Sequence, residues 1–476
     1  MSEDLAVVGT WLAILPPILS IALAIATRAV HLSLFAGLWL GYALLAGDPI
    51  SGLADAIDGV VQVLTDPGDA RVVLFSALVG ALIALTQRNG GVEGLIELLM
   101  RRSLVHTRPR ALSLSFFLGV VIFVESSITS LVNGAVCRPI FDRLRISREK
   151  LAWLCDATAA PICILIPLNA WGAYIVSLLA KEGVADPLPT FIAAIPLNLY
   201  ALFTLAFAFV VTVWKGWDFG PMRVAEARVA TTGALWRAGS RPVLDADLGA
   251  IAAPEGAPRR ARNFLIPILI LATMMPVGLL VTGRGDMLAG SGSKAVLWAV
   301  IAAIVAAVGL GVSGRAMSLA DAGATFWKGL GGLMPLAALM LLAFALGALA
   351  KKLGTGAYVA ELVSDQVPAL LVPAVLFVVG AAISFATGTS WGTFALVLPL
   401  AIPLAAATGT PLPLALAAVL SGGVFGDHCS PISDTTLIAS LAAGTDLIDH
   451  VRTQLPYALV TGGASVVGFV VLAALA

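Results

Sequence analysis

The stretch Phe425-Gly-Asp-His-Cys-Ser-Pro-Ile-Ser-Asp-Thr-Thr436 interrupts a strongly apolar part of the chain. It places two carboxylates, an imidazole and four hydroxyls between the apolar segments 412–424 and 437–443. Lipid offers no hydrogen-bond partners to a broken backbone, so such a stretch is tolerated at membrane depth only inside protein or beside a water-filled cavity. The pattern therefore predicts a substrate or ion site.

The composition is that of a membrane protein. The chain of 476 residues is 59% hydrophobic and 12% charged, against roughly 25% charged residues in a soluble domain. About ten crossings of ~20 residues fit, and no large soluble domain is left over. The net charge of zero gives no indication of nucleic-acid binding. The four cysteines lack zinc-like pairing, so we expect neither a disulfide framework nor a metal framework built on them. We predict no cofactor, with sodium as a transported species.

Apolar segments of spanning length lie on both sides of a polar stretch, 216–262. Before it, the predicted spans are 6–26, 29–47, 71–88, 149–180 and 189–213. After it, they are 264–283, 295–313, 330–350, 412–445 and 455–475. The segments 149–180 and 412–445 are too long for one straight crossing and contain a proline beside polar residues. We therefore predict that both are broken helices.

Two further segments, 111–136 and 368–408, are interpreted as hairpins. Basic residues flank 111–136 on both sides, which favours the cytoplasm for both of its ends. Each arm of about 12 residues would extend ~18 Å and reach the middle of a ~30 Å hydrocarbon core. The polar tip is Glu125-Ser-Ser-Ile-Thr129. A single spanning helix with a polar face is the alternative, and for 368–408 both a re-entrant and a spanning arrangement stay open.

The two halves of the chain resemble each other. The tip near Glu125 corresponds to 386–390, and 156–162 corresponds to 427–432, at offsets between about 260 and 270 residues. Five crossings and one hairpin in each half would invert the second half relative to the first. The prediction is an all-α polytopic membrane protein with two inverted-topology repeats and broken helices at the midplane. The repeats are residues 1–215 and 263–476, and 216–262 is a cytoplasmic linker loop.

Four carboxylates are predicted to lie at membrane depth beside helix breaks: Glu125, Asp156, Asp427 and Asp434. An isolated ionised carboxylate is costly there, so it tends to hold a proton or to pair with a cation. The sequence supplies no lysine or arginine at that depth, which leaves a proton or a metal cation such as sodium. We predict Asp156 and Asp427 as sodium ligands, with helix capping as the alternative role of the acidic residues.

Hydroxyl and amide side chains near the breaks would provide the hard oxygen ligands that a small cation prefers. Those included in the predicted site are Ser126, Thr129, Asn169, Thr387, Thr389, Ser390, Ser430 and Ser433. Satisfaction of a bent backbone is their alternative role. His428 also belongs to the predicted site because an imidazole carries protons near neutral pH, although a hydrogen-bonded structural histidine fits the sequence as well.

The segments 426–436, 388–393 and 146–161 resemble the NhaC-type sodium/proton antiporter family, within the larger ion transporter superfamily. The resemblance covers nearly all of the chain except 216–262. It implies inverted repeats, a scaffold and a mobile transport region that moves like an elevator. Many relatives carry two aspartates and an aromatic residue at the first hairpin tip, where this chain has Glu125-Ser126-Ser127. Members of the wider family are also described as exchangers of organic acids or amino acids.

These observations predict a secondary transporter, not an enzyme, that exchanges sodium for protons across the cell (inner) membrane by alternating access. The alternative is a sodium- or proton-coupled carrier of a small organic acid or amino acid. Expected partners are sodium, protons and the lipid bilayer, while a small organic solute and a homodimer stay open. A hydrolase built on Asp427, His428 and Ser430 is disfavoured, because neighbouring helical positions point apart.

The distribution of positive charge predicts the orientation in the membrane. When 216–262 is placed in the cytoplasm, 22 of the 28 lysines and arginines lie on the cytoplasmic side and both termini lie on the opposite side. This agrees with the preference of positively charged loops for the cytoplasm. Alkaline phosphatase fused after residue 476 should therefore be active, and the same enzyme fused within 216–242 should be inactive. A cytoplasmic label on either terminus would contradict this orientation.

Overall fold

The computed structural model describes the residues 7–27, 29–101, 107–123, 126–167, 169–214, 216–242, 253–254, 256–287, 290–355, 358, 368–431 and 433–476. All regular secondary structure in these ranges is helical. The α-helices of the first half are α1 (Leu15–Thr27), α2 (Val30–Ala46), α3 (Pro49–Val63), α4 (Pro67–Arg88), α5 (Gly91–Arg101), α6 (Arg108–Val121), α7 (Ser126–Arg143), α8 (Arg148–Ala157), α9 (Ala160–Leu165), α10 (Ala170–Lys181), α11 (Pro187–Ala194) and α12 (Leu199–Val213).

Helix α13 (Gly220–Thr232) lies in the polar stretch between the halves. The α-helices of the second half are α14 (Arg262–Thr282), α15 (Gly292–Ser313), α16 (Leu319–Gly332), α17 (Met334–Leu353), α18 (Val372–Thr387), α19 (Ser390–Thr408), α20 (Leu412–Cys429), α21 (Asp434–Ala443) and α22 (Leu447–Leu475). Short 3₁₀ turns precede α1, α12 and α18.

Among the described residues, seven helices are long and apolar enough to cross a membrane. The number rises to nine when the bent pairs α11–α12 and α16–α17 each count as one span. The chain is therefore an all-helical, multi-pass membrane protein, as its composition predicts. Helices α3, α13 and α16 were not among the predicted elements. Their sequences lack a long apolar run, because each is polar or amphipathic.

Both predicted hairpins consist of two helices that pack against each other. Helix α6 ends at Val121 and α7 begins at Ser126, so the break lies at the polar tip; Glu125 itself is outside the described residues. The second break is Gly388, in the left-handed region with φ 68°, followed by Thr389, which caps α19. Helices α18 and α19 are each of candidate spanning length. Whether either hairpin is re-entrant stays a prediction.

The two long segments are broken helices, as predicted. The first consists of α8, α9 and α10, with Pro161 in the first turn of α9 and Asn169 capping α10 through the Gly172 N–H. The second consists of α20 and α21, and the Ser433 side chain caps α21 by accepting from the Thr436 N–H. Each cap satisfies a backbone donor that the break would otherwise leave unpaired.

Helix starts repeat at one constant spacing in the two halves. The helices that begin at Arg108, Ser126, Arg148 and Ala170 are each followed, 264 positions later, by one that begins at Val372, Ser390, Leu412 or Asp434. This regularity supports the predicted duplication, while the inversion of the second half stays a prediction.

The 264-residue spacing of the helix starts does not align Asp156 with Asp427, whereas the sequence comparison of the two halves does. At 264 residues, Asp156 is equivalent to Leu420 and Asp427 is equivalent to Cys163. Both carboxylates nevertheless lie near the end of a helix: Asp156 is one residue before the end of α8, and Asp427 is two residues before the end of α20.

Close helix packing joins the elements that surround the polar residues. Helix α20 lies against α18, and α21 of the second half lies against α7 and α8 of the first. A side chain at Gly134 on α7 would meet the backbone of Ala442 on α21. The two halves therefore interlock at the broken helices, where small residues let backbones approach closely.

Gly422 provides a test of this packing. A Cβ atom there would fall against the carbonyl group of Phe377 on α18. Gly422→Ala should lower the thermal unfolding midpoint of the solubilised protein, because overpacking costs about 1–3 kcal/mol. Gly309→Ala is the matched control, since a Cβ atom on that α15 glycine meets open space. Equal midpoints for the two variants would contradict the close approach of α18 and α20.

Candidate functional site

Asp156 is the carboxylate that connects the two halves. It lies at the end of α8 and is fully buried. Its Oδ2 atom accepts hydrogen bonds from Thr436 Oγ1 on α21 at 3.0 Å and from Gln454 Nε2 on α22 at 2.8 Å. Both donors are neutral and both belong to the second half. In the described part of the chain, no lysine or arginine forms an ion pair with Asp156.

The amide of Gln454 is oriented by its neighbours. Its nitrogen donates to Asp156 and also to the carbonyl oxygen of His428 at 2.7 Å. Its oxygen lies 3.0 Å from His450 Nε2 and must be the acceptor of that contact, so His450 carries a hydrogen on Nε2. His450 Nδ1 lies 2.8 Å from the Ser440 hydroxyl. Gln454 thus donates one N–H group to Asp156, while its contacts with His428 and His450 fix the orientation of the amide.

His428 faces the other oxygen of Asp156. Its Nε2 atom lies 3.8 Å from Asp156 Oδ1, and neither buried atom has a hydrogen-bond partner among the described residues. On the opposite side of the ring, Nδ1 lies 3.1 Å from the hydroxyl of Tyr200 on α12. When that hydroxyl donates to Nδ1, Nε2 carries a hydrogen and points at an unpaired carboxylate oxygen. An approach of about 1 Å would form a hydrogen bond.

A small cavity adjoins this group. Its volume is about 10 Å³, close to the minimum that holds one water molecule. His428 and Gln454 line it together with the aromatic side chains of Trp153, Tyr200 and Tyr457. We refer to Asp156, His428, Thr436, His450 and Gln454 as the Asp156 cluster. This cavity is too small for anything larger than one water molecule.

Asp427 belongs to a second group at the tip of the second hairpin. Its Oδ2 atom accepts a hydrogen bond from Ser390 Oγ, the first residue of α19, at 2.7 Å. The Ser390 hydroxyl also lies 3.2 Å from the Gly423 carbonyl oxygen, to which Ser384 donates at 2.6 Å. Ser430 donates to the Phe385 carbonyl at 2.7 Å. These residues form the Asp427 cluster, which offers carboxylate, hydroxyl and carbonyl oxygens.

Most other predicted site residues make local contacts with the backbone. Thr387 bonds within its own helix, Thr389 and Ser433 cap helices, and Thr129 donates to the Ile122 carbonyl at the first break. Asn169 caps α10 and donates to the carbonyls of Phe123 and Cys163. Ser126 is buried at the start of α7. Asp434 is the first residue of α21, but its side chain, like Glu125, lies outside the described residues.

The described residues contain no group of three or more histidine, cysteine or acidic side chains that could hold a metal ion. The oxygen-rich Asp427 cluster instead has the chemistry that suits a weakly held hard cation. Such an ion would be cargo and not a resident cofactor.

Three residues that lie around Asp156 were not identified from the sequence: His450, Gln454 and Tyr200. A signal exists for the first two, since His450, Gln454, Tyr457 and Thr461 lie on one face of the otherwise apolar α22. Polar residues at intervals of three and four mark a polar stripe on a helix. Thr436 was part of the opening stretch but was not assigned a role.

Comparisons with known proteins agree with this architecture. A model of the Na+/H+ antiporter family matches residues 182–474. An uncharacterized protein of Haemophilus influenzae is 33% identical over 485 residues, which cover 96% of this chain and 90% of the relative. The malate-2H(+)/Na(+)-lactate antiporter of Bacillus subtilis is 47% identical over 72 residues, 15% of each chain. The crystal structure of the Alcanivorax borkumensis YdaH transporter has a TM-score of 0.56 at 17% identity, covering 96% of this chain and 97% of that one. This last similarity concerns the fold alone.

Gln454→Leu tests the role of the amide in the Asp156 cluster. The substitution should lower the thermal unfolding midpoint, because a buried charged group that loses a donor costs about 1–3 kcal/mol. Gln62→Leu on the exposed face of α3 is the matched control. In an Asp156→Asn background, the decrease in the unfolding midpoint caused by Gln454→Leu should be smaller. A neutral amide costs less to bury without a hydrogen-bond donor than a carboxylate does. An unchanged loss in that background would show that the contact with Asp156 is not its cause.

Proposed function

The chain belongs to the Na+/H+ antiporter family and is therefore a transporter, and from this premise we propose that it exchanges sodium for protons across the cytoplasmic (inner) membrane by alternating access. In this proposal, Asp156 and Asp427 are the carboxylates at which sodium and protons compete. No resident cofactor takes part.

The burial of Asp156 carries the proposal. The carboxylate is fully enclosed, and its hydrogen-bond donors are a hydroxyl and an amide. Neutral donors offset only part of the cost of removing a charge from water. A carboxylate in this setting holds a proton or a bound cation when the site is closed. A group that needs one of two cations to stay buried is suited to exchange them.

The Asp427 cluster supports sodium as one of the two ions. The Ser390 hydroxyl lies within hydrogen-bond distance of both the Gly423 carbonyl and the Asp427 carboxylate, at a helix break. Sodium binds such hard oxygen ligands in preference to thiols or imidazoles. Helix α18 ends at Thr387 and α20 ends at Cys429, close in sequence to Ser390 and Asp427, and helix C-termini favour a cation.

The origin of the donors supports alternating access. Asp156 lies on α8 of the first half, whereas Thr436 and Gln454 lie on α21 and α22 of the second. A movement of one half relative to the other would change these hydrogen bonds directly. Occupancy of Asp156 by a proton or a cation would then bias the equilibrium between conformations, as differential binding must for any coupled carrier.

A coupled carrier of a small organic acid is the second candidate. It is favoured by the 72-residue similarity to a relative whose name includes malate and lactate. The cavity of about 10 Å³ beside His428 and Gln454 is too small for such a solute in the described conformation. Exchange of an organic acid would therefore need a wider cavity in another conformation.

Purified protein in sealed vesicles tests the leading proposal. An imposed sodium gradient should drive protons in the opposite direction, detected with a pH-sensitive dye. Asp156→Asn and Asp427→Asn should each lower the initial rate roughly 100-fold, because a lost interaction with a charged group costs about 3 kcal/mol at the upper end. Asp58→Asn, on exposed α3, is the matched control and should leave the rate unchanged.

The same vesicles separate the two candidates. Malate, lactate and a panel of amino acids are added in place of the sodium gradient. A pH change that follows an organic solute and not sodium alone would favour the second candidate. Active protein that shows no sodium-dependent pH change under any condition would refute sodium/proton exchange.

A further inference from the structure

The first part of the polar linker, residues 216–242, contacts the starts of the two helices α8 and α22, and we call it the strap. It consists of α13 and the segment that follows. Glu226 of the strap forms an ion pair with Arg108 on α6 and accepts the backbone N–H of Ser147 at 2.8 Å. Arg228 pairs with Glu149 on α8 at 2.9 Å. The strap therefore holds the start of α8.

The strap also holds the start of α22. Arg237 pairs with Asp449 at 2.8 Å. The indole N–H of Trp236 donates to the Gly444 carbonyl at 2.9 Å, in the turn before α22. One linker segment thus bridges α8 of the first half and α22 of the second.

These two helices are the ones that build the Asp156 cluster. Glu149 precedes Asp156 on α8 by seven residues, or about two turns. Asp449 directly precedes His450 on α22, and Gln454 follows little more than one turn later. A strap that fixes both helix starts limits how far α8 and α22 can separate.

In both ion pairs, the carboxylate on the helix is more deeply buried than the arginine on the strap. The side chains of Glu149 and Asp449 are 2% and 5% exposed, whereas those of Arg228 and Arg237 are 19% and 48% exposed. If the strap left, two buried carboxylates would lose their cations, which is strongly unfavourable unless water reaches them. Departure of the strap and entry of water are therefore coupled. The Arg237 side chain is 48% exposed, so water can replace Asp449 as its partner when the strap leaves.

Space for that water already exists beneath the strap. A cavity of about 220 Å³ lies between α8, α13 and α22. Glu149, Arg228, Arg237 and Asp449 line it, and so does Thr453, the residue before Gln454. Thr453 and Asp449 flank His450 and Gln454 of the Asp156 cluster along α22, so the cavity lies beside the part of α22 that carries the cluster.

We propose that the strap is a gate. While its ion pairs with α8 and α22 are formed, it closes the Asp156 cluster to the side of the membrane on which the linker lies, the cytoplasmic side in the predicted orientation. Release of the strap admits water between α8 and α22 and opens the cluster to that side. The inference rests on the chain being a carrier but does not depend on which ion it carries.

A cysteine beneath the strap reports the position of the gate. Thr453→Cys is suitable because Thr453 is buried and its hydroxyl bonds only within its own helix. The four native cysteines are buried, so background labelling should be low. In sealed vesicles of each orientation, a membrane-impermeant maleimide is added from one side at a time. In an Arg228→Gln, Arg237→Gln background, labelling from the strap side should be at least about threefold faster, with no change from the other side.

Arg223→Gln is the matched control, because Arg223 lies exposed on the same α13 helix and forms none of these ion pairs. It should label like the unsubstituted reporter. Should the double variant fail to reach the membrane, Arg237→Gln alone carries the same expectation. Unchanged labelling, or an equal increase from both sides, would overturn the gate; the second result would identify a structural brace. Because labelling needs no transported ion, a failure of sodium/proton exchange in the vesicle assay would leave this result readable.

Discussion

The buried Asp156 carboxylate is the constraint on which the organisation of this protein depends. A charge at that depth must be neutralised or shared, and its neighbours are arranged around that requirement. Thr436 and Gln454 supply donors from α21 and α22, while His428 presents a ring nitrogen to the remaining oxygen. Since α8 belongs to the first half and the donors to the second, the carboxylate can be satisfied only when the halves are assembled. The packing of α21 on α8 and the polar stripe on α22 bring these groups together around Asp156.

Much of the fold was predictable because apolar length and local breaks leave clear traces in a membrane sequence. Proline beside polar residues marked both broken helices, and basic flanks marked the first hairpin. The partners of Asp156 were harder to find, because Gln454 and His450 lie in a 29-residue apolar helix whose sequence does not say what its polar face meets. Pairing Asp156 with Asp427 failed for a related reason. A short motif with an aspartate and a proline can align by chance within a few residues, whereas four helix starts at one spacing fix the register.

That register has a physical consequence for the two carboxylates. The equivalent of α20, an unbroken helix of 18 residues, is interrupted in the first half between α8 and α9. Asp156 lies at this interruption, where amide and imidazole groups from the other half can reach it. Asp427 lies at the end of α20, among hydroxyls and main-chain carbonyls. The duplicated halves therefore contribute carboxylates in different chemical settings, and the two are not interchangeable copies of one ligand.

The cost of burying an uncompensated carboxylate links closure of the protein to ion occupancy. It applies both at Asp156 and at the carboxylates beneath the strap. An Asp156 carboxylate that has lost its proton or cation cannot remain dry, so an empty ionised site favours a conformation that water can enter. The carboxylates of Glu149 and Asp449 meet the same condition when the strap leaves them. Glu149 and Asp449 lie on α8 and α22, the helices that also carry Asp156, His450 and Gln454. Entry of water around the first two carboxylates therefore lowers the free-energy cost of entry of water around Asp156. In the proposed exchanger, the carrier would open when the Asp156 site is empty and ionised, and it would close when the site is filled. Leakage of one ion without its counterpart is then disfavoured by the cost of closing around an uncompensated charge.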